Sequence, residues 1–290
     1  MDVVGPPDRA LTAFGLEGAE LAPLVGGQGR SWRAGDVALK EVDAGGADAA
    51  QYVAELCAAL PNSDDVRVPR PVATASGEWV CDGWVAWTWL PGTIATGRWP
   101  EIVAAGAALH RLFADVPRPG FLDDRNDVWS VGDRVAWGEL PLVIDNQSLR
   151  ALGHMLARHL LPCAEPDQLV HGDLTGNVLL CEGRPPAVID ISCYWRPASW
   201  ASAVVVADAL AWHGAGREVV TLVPGSQQAA MVARATLYRL ITSDRHAATL
   251  DAAQRQPYLA RSAAAYARVL RELDALDTGR TEVAGSSRPQ

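Results

Sequence analysis

The chain has 290 residues, 49% apolar and 20% charged, a composition with ample length for a buried core in one or two domains. Its net charge of −9 argues against a general nucleic-acid binder, which needs a basic face, and disfavours docking on anionic membranes. Five cysteines scattered without a CxxC pair match no zinc spacing and predict reduced thiols in a cytoplasm rather than a disulfide framework.

In chain order, "LAPLVGGQGRSWRAGDVALKEVD" reads as strand, Gly-rich turn, strand, turn, strand. A helix follows from Ala47 to Leu60, where Tyr52, Val53, Leu56 and Leu60 recur at helical spacing and Pro61 stops it. "VRVPRPVATA" and "EWVCDGWVAWTWL" read as strands, the second folded at Asp82-Gly83 as a hairpin. After "LPGT" the texture becomes helical, in "PEIVAAGAALHRLFADV", "QSLRALGHMLARHLL", "ASWASAVVVADALAWHG", "QQAAMVARATLYRLITSD" and "DAAQRQPYLARSAAAYARVLRELDAL". The predicted division is a β-rich lobe over 1–90, a helical lobe over 91–277, and a polar, Gly/Ser-rich tail over 278–290 expected to be loose. No signal peptide, transmembrane run or internal repeat is expected.

One stretch interrupts the helical half: "QLVHGDLTGNVLLCEGRPPAVIDIS", Gln168 to Ser192. Two short apolar strands flank the turn signal "EGRPP". A hairpin centred on Gly183-Arg184 sets Asn177 opposite Asp190, two oxygen-bearing side chains at one strand end. Such oxygens suit a hard cation like Mg²⁺, which binds through one or two carboxylates plus phosphate oxygens. Asp173, in the preceding tight loop, is then left to accept a proton. Asp and Asn are also common turn residues, so the loop alone does not decide.

Other parts of the chain match. Lys40 lies in the apolar strand "VALKEV", with Val37 and Leu39 on one side and Ala38 and Lys40 on the other; it is either an edge-strand guard or a phosphate ligand. Glu55, mid-helix, either faces solvent or turns inward to pair with Lys40. The glycines of "GGQG", Gly26, Gly27 and Gly29, allow backbone amides to approach a phosphate, as they also allow a plain turn. "WTWLPG" offers backbone groups to an adenine edge, or its tryptophans are core.

Together these parts resemble the aminoglycoside phosphotransferase and small-molecule kinase superfamily of the protein-kinase-like fold. "VALK" looks like the strand carrying the phosphate-binding lysine, "HGDLTGN" like the catalytic loop, "VIDIS" like the strand with the metal-binding Asp, and "WLPGT" like the segment after the hinge, all in order between Leu24 and Trp212. The resemblance implies an α+β, bilobal fold: a small β-rich N-lobe and a larger, mainly helical C-lobe, with ATP between them. It implies an O-phosphotransferase moving the γ-phosphate of ATP to a hydroxyl of a sugar, aminoglycoside-like or amino-alcohol molecule, without nucleic-acid or membrane partners. By resemblance, Gly26, Gly27 and Gly29 cover the phosphates. Lys40, oriented by Glu55, binds the α- and β-phosphates, and backbone near Thr88 and Leu90 meets the adenine. Asn177 and Asp190 hold Mg²⁺, and Asp173 accepts or orients the substrate hydroxyl. His171 braces the loop, and Asp208, inside an apolar helix, caps its backbone. Acceptor specificity is expected between Arg98 and Leu161 and around "CYWRPASW", with Trp195, Arg196 and Trp200 lining a pocket.

The chain departs from the family in one respect. The usual loop has its Asn five residues after the Asp, and here Asn177 is four after Asp173. Gly176 would let a shorter loop deliver Asn177 to the same place. The shortening leaves open the alternative of a nucleotide-binding pseudokinase with a regulatory or scaffolding role.

Overall fold

The computed structural model describes residues 5–24, 29–43 and 45–285. Its β-rich part is an antiparallel sheet of β1 (Leu21–Pro23), β2 (Ser31–Ala34), β3 (Val37–Glu41), β4 (Pro71–Val72), β5 (Val80–Cys81) and β6 (Trp84–Thr88), in the order β1-β2-β3-β6-β4 with β5 also on β6. The β5–β6 hairpin closes through Asp82 and Gly83 at φ 53° and 78°. A two-residue turn of this hand needs positive φ at both central residues, which Asp-Gly supplies. One face of the sheet is covered by α1 (Asp8–Ala13), a helix that its short, broken pattern did not announce: Ala10, Leu11 and Phe14 pack with Ala34, Leu39, Trp84 and Ala86. The predicted helix after β3 is α2 (Ala47–Ala59), and it packs against β4 and β5.

The chain forms two compact units, and the first takes in more than the N-terminal segment. It comprises Met1–Ile94, Pro119–Phe121 and Asn177–Cys193. In it β7 (Thr93–Ile94) pairs with β9 (Val178–Cys181), which pairs with β10 (Arg184–Val188).

The second unit comprises Ala95–Arg118, Leu122–Gly176 and Tyr194–Gln290. Its principal helices are α3 (Trp99–Leu112), α5 (Val128–Ala136), α6 (Gln147–Ala157), α7 (Ala198–Trp212), α8 (Gln228–Ala247) and α9 (Ala252–Gly285); the one-turn α4 (Phe121–Asp124) precedes α5. A small sheet pairs β8 (Gln168–His171) with β11 (Cys193–Arg196). Helix α7 is apolar all round and is buried from Ser199 to Ala211, as such a helix must be. It packs on α8, which also meets α5, α6 and α9. The backbone of α9 stays helical to Gly285, past position 278 where composition predicted a loose tail. Among the described residues no helix is long and apolar enough to cross a membrane.

Candidate functional site

In the first unit β3 carries Lys40 beside Val85 of β6, on the face opposite Leu39, which is fully buried in the core. The Lys40 ammonium forms a charge-assisted hydrogen bond with Asp190 Oδ1. Both side chains are about one-third exposed, so the pair is open to a ligand. The expected partner is elsewhere: Glu55 sits on the exposed face of α2, where it accepts from Gln51 Nε2 at 2.7 Å. The helix presents Ala54, Leu56 and Cys57 to the interior instead, and these fill the buried stripe. The pairing of Lys40 with Glu55 is therefore replaced by one of Lys40 with Asp190.

Asp190 has φ 54°, one of two non-glycine residues at positive φ among the described residues. Asp tolerates this left-handed conformation better than most side chains, and it turns the chain sharply as β10 ends. The hairpin register differs by one from the expectation. Its turn is Glu182-Gly183, so Arg184 faces Cys181, and a bulge between Arg184 and Ala187 then sets Val188 opposite Val178. Pro185 and Pro186 cause the bulge, because neither has an N–H for the ladder. Arg67 uses what they leave: its N–H and Nε donate to the carbonyls of Pro186 and Pro185, each at 2.8 Å, and its own carbonyl accepts from Val188 N–H. Consequently Asn177 faces Ile189, whose N–H it accepts at 2.9 Å, and Asp190 follows one residue beyond.

The remaining nucleotide residues fall unevenly. Thr88 N–H donates to Arg70 O at 2.8 Å, and Thr88 Oγ1 accepts from Arg70 N–H at 2.9 Å, so both groups are committed to β4's approach. Trp89 N–H donates to Asp36 O, and the Trp89 ring lies under the Arg33 guanidinium at 4.4 Å. Leu90 follows as the strand ends before Pro91. Gly29 has φ 74°, while Gly26 and Gly27 lie outside the described residues.

In the second unit Asp173 follows β8 in a loop braced from beneath. His171, fully buried, accepts Asp173 N–H at Nδ1 (3.4 Å), and its own N–H donates to His110 Nε2 of α3 at 3.1 Å. Burial, and then the nearby His171, push His110 down to about 3, so it stays neutral and free to accept. Gly176 adopts φ 84°, a left-handed turn immediately before Asn177. The Asp173 carboxylate receives Arg239 Nη2 at 2.7 Å. Arg239 also grips Asp208 from Nε (3.0 Å) and Nη2 (2.7 Å). Asp208 thus spends its carboxylate on a guanidinium of α8 rather than on the loop backbone.

A cavity of about 470 Å³ opens in this same unit, walled by Arg118, Arg125, Asp133, Glu139, Tyr194 and Arg196 among others, Trp195 included. Trp200 is not part of it: fully buried, it packs with Tyr194 and Tyr238. Arg196 holds Asp133 through a two-pronged bond (Nε 3.0 Å, Nη2 2.7 Å) and Glu139 through Nη1 (2.7 Å). Burial works against its charge, but Asp133 and Glu139 outweigh that and keep Arg196 firmly cationic. Asp127 caps α5, accepting from Trp129 and Ser130 N–H, and holds Arg125. Arg239 and Asp133 were not anticipated. The sequence signal was available: Asp208 needed a buried partner, and "LYRLI" is an apolar run with one cation in it.

Among the described residues no three His, Cys, Asp or Glu side chains cluster as a metal site. The Asp190 carboxylate beside Lys40 makes no complete cage; a single carboxylate of this kind suits Mg²⁺ held jointly with phosphate oxygens.

The chain resembles solved structures in fold. A thermostable mutant of the aminoglycoside phosphotransferase APH(4)-Ia, solved as a ternary complex with ADP and hygromycin B, matches with a TM-score of 0.58 at 15% identity, over 91% of this chain and 98% of that one. An AMP-bound complex of the spectinomycin phosphotransferase APH(9)-Ia matches at 0.56 and 11%, over 93% and 99%. The choline kinase LicA from Streptococcus pneumoniae matches at 0.52 and 13%, over 88% and 94%. No curated protein matches the chain. Residues 26–194, more than half of the sequence and the stretch that carries Lys40, Asp173, Asn177 and Asp190, match the profile of the phosphotransferase enzyme family (APH), and on that match and the shared fold the chain belongs to this family of small-molecule phosphotransferases.

Proposed function

We propose that the protein is an ATP- and Mg²⁺-dependent O-phosphotransferase that moves the ATP γ-phosphate to a hydroxyl of a small molecule. The observation that carries this reading is the Lys40–Asp190 pair, with Asn177 opposite Ile189 at the end of the same hairpin. In the bound state Lys40 turns its ammonium to the α- and β-phosphates. Asn177 and Asp190 would contribute oxygens to hold Mg²⁺, which would supply charge neutralisation at the phosphates. Leu90 offers backbone to the adenine, since Thr88 is engaged with Arg70. Asp173 orients the acceptor hydroxyl and takes its proton as the phosphoryl group leaves ADP. Positioning and charge neutralisation supply most of the rate in this chemistry, so a short set of residues suffices.

The cavity near Tyr194 is the acceptor pocket in this reading. Three of its four carboxylates, Asp123, Asp133 and Glu139, are each paired with an arginine, and burial holds the fourth, Asp167, above the usual carboxylate range. That favours a neutral, hydroxyl-rich acceptor such as a sugar over a polycation. γ-Labelled ATP with Mg²⁺ and a panel of sugars, choline, spectinomycin and hygromycin B tests both claims. Label is expected on a sugar first, and Asp173→Asn should lower transfer at least 100-fold. If no acceptor is labelled and Asp173→Asn leaves background ATP hydrolysis unchanged, the transferase reading fails. Nucleotide binding that needs no Mg²⁺, with no phosphate moved, would identify the pseudokinase alternative raised by the shortened loop.

A further inference from the structure

Arg239 lies in the middle of α8, in the run Leu237-Tyr238-Arg239-Leu240-Ile241, among apolar neighbours that make an unpaired charge costly. It meets two carboxylates. Nε and Nη2 form a fork on Asp208 at 3.0 and 2.7 Å, and Nη2 also donates to Asp173 Oδ1 at 2.7 Å. The Asp208 side chain is 7% exposed and that of Asp173 is 42% exposed.

A purely structural pair would be complete with Arg239 and Asp208, whose charges cancel within the helical core. The additional bond reaches the one group of the three that is open to solvent. Its donor is itself held still. Arg239 O accepts from Tyr266 Oη at 2.9 Å, Tyr266 Oη lies 2.6 Å from Ser243 Oγ, and the guanidinium rests 5.2 Å above the Tyr238 ring. Burial opposes the charge on Arg239, but Asp208 and then Asp173 outweigh it and hold the group firmly cationic.

We propose that Arg239 is a positioning residue for phosphoryl transfer, fixing the orientation of the Asp173 carboxylate toward the acceptor, with Asp208 as its anchor. This rests on Asp173 being the acceptor-facing residue of the proposed function. The planar fork matters: lysine carries the charge but cannot span both carboxylates in one plane. Misplacing a reacting group by an ångström costs up to about 100-fold in rate, while leaving nucleotide binding alone.

The test uses the full chain, ATP with Mg²⁺, and the acceptor from the panel that takes label fastest, or water where none does. Arg239→Lys and Arg239→Gln should lower kcat about 10- to 100-fold. The KM for ATP and the Kd for AMP-PNP should stay within about threefold of the parent, since neither Arg239 nor Asp208 is assigned to nucleotide. Guanidinium ion should restore part of the rate in Arg239→Ala and none in Asp173→Asn. Because Arg239→Gln strands Asp208, the double variant Arg239→Gln with Asp208→Asn supplies a neutral pair that can still fold. A folded double variant turning over within about threefold of the parent, with Asp173→Asn inactive, makes Arg239 structural only and overturns the positioning role alone. Loss of cooperative melting in every Arg239 variant has the same consequence. Parent-like turnover by Asp173→Asn, or no turnover by the parent, overturns the function reading and this inference with it.

Discussion

Gly172, the residue between His171 and Asp173, lies where even a methyl group has no room. A Cβ there would fall 2.4 Å from Tyr194 Cδ2 and 3.1 Å from Trp200 Cζ3, both side chains of the buried aromatic cluster. Neither ring can swing away, because Tyr194 is hydrogen-bonded to Tyr238 at 3.0 Å and Trp200 is fully enclosed. Gly172→Ala should therefore cost about 1–3 kcal/mol by overpacking. Urea melts followed by tryptophan fluorescence check this, and an unchanged midpoint would mean the aromatic cluster is looser than its packing implies. At Lys40 the prediction is functional. Lys40→Met should weaken AMP-PNP binding at least tenfold by calorimetry while leaving the melting temperature nearly unchanged, since an exposed ion pair contributes at most about 1 kcal/mol. A large drop in stability with unchanged nucleotide affinity would assign Lys40 to the fold instead.

Among the elements, α5 shows how a capping residue serves a pocket. Asp127 accepts both Trp129 and Ser130 N–H at the helix start, and the same carboxylate takes Arg125 Nε at 2.9 Å. Arg125 in turn lies 5.0 Å from the Tyr194 ring on the cavity wall. Asp127→Ala removes the cap and should cost about 1–2 kcal/mol. Asp127→Asn keeps the capping oxygen but weakens the hold on Arg125. It should retain most of the stability while raising the acceptor KM several-fold; equal stability loss in both variants would remove the cap from the explanation. The β9–β10 hairpin gives the opposite lesson. A turn centred on Gly183-Arg184 was the natural reading of "EGRPP", but the chain turns one residue earlier, at Glu182-Gly183, and the bulge at the two consecutive prolines takes back only part of that shift, leaving the strand ends one residue off the expected register.

For the whole molecule, pH reports on the buried His110. The group sits at about 3 in the folded protein against an ordinary value near 6.5. The unfolded chain therefore binds the proton first as pH falls. The stabilisation is complete above about pH 6.5 and declines between there and about pH 3. At pH 5 the loss from this one group is about 2 kcal/mol. His110→Gln keeps an acceptor for His171 N–H without a titrating ring, so it should show a smaller fall in stability between pH 7.5 and pH 5. Denaturant titrations at the two pH values decide it, and parallel losses in parent and variant would exclude His110 as the source.

The strands of the small sheet, the long helices other than α5 and the family were legible in the chain alone, because period-2 and period-3.6 patterns and the ordered motifs "VALK", "HGDLTGN" and "VIDIS" are local properties. Residues from both segments expected to set acceptor specificity, Arg98 to Leu161 and "CYWRPASW", line the cavity, while the burial of Trp200 puts it in the core. It missed α1, whose six residues give no full period. Only tertiary structure decided the charge partners. Lys40 and Asp190 lie 150 residues apart, and Arg239 is 31 from Asp208 and 66 from Asp173. Composition shows that a buried carboxylate needs a cation, but which cation arrives depends on how helices and strands pack, and Coulomb attraction acts over distance in space rather than along the chain.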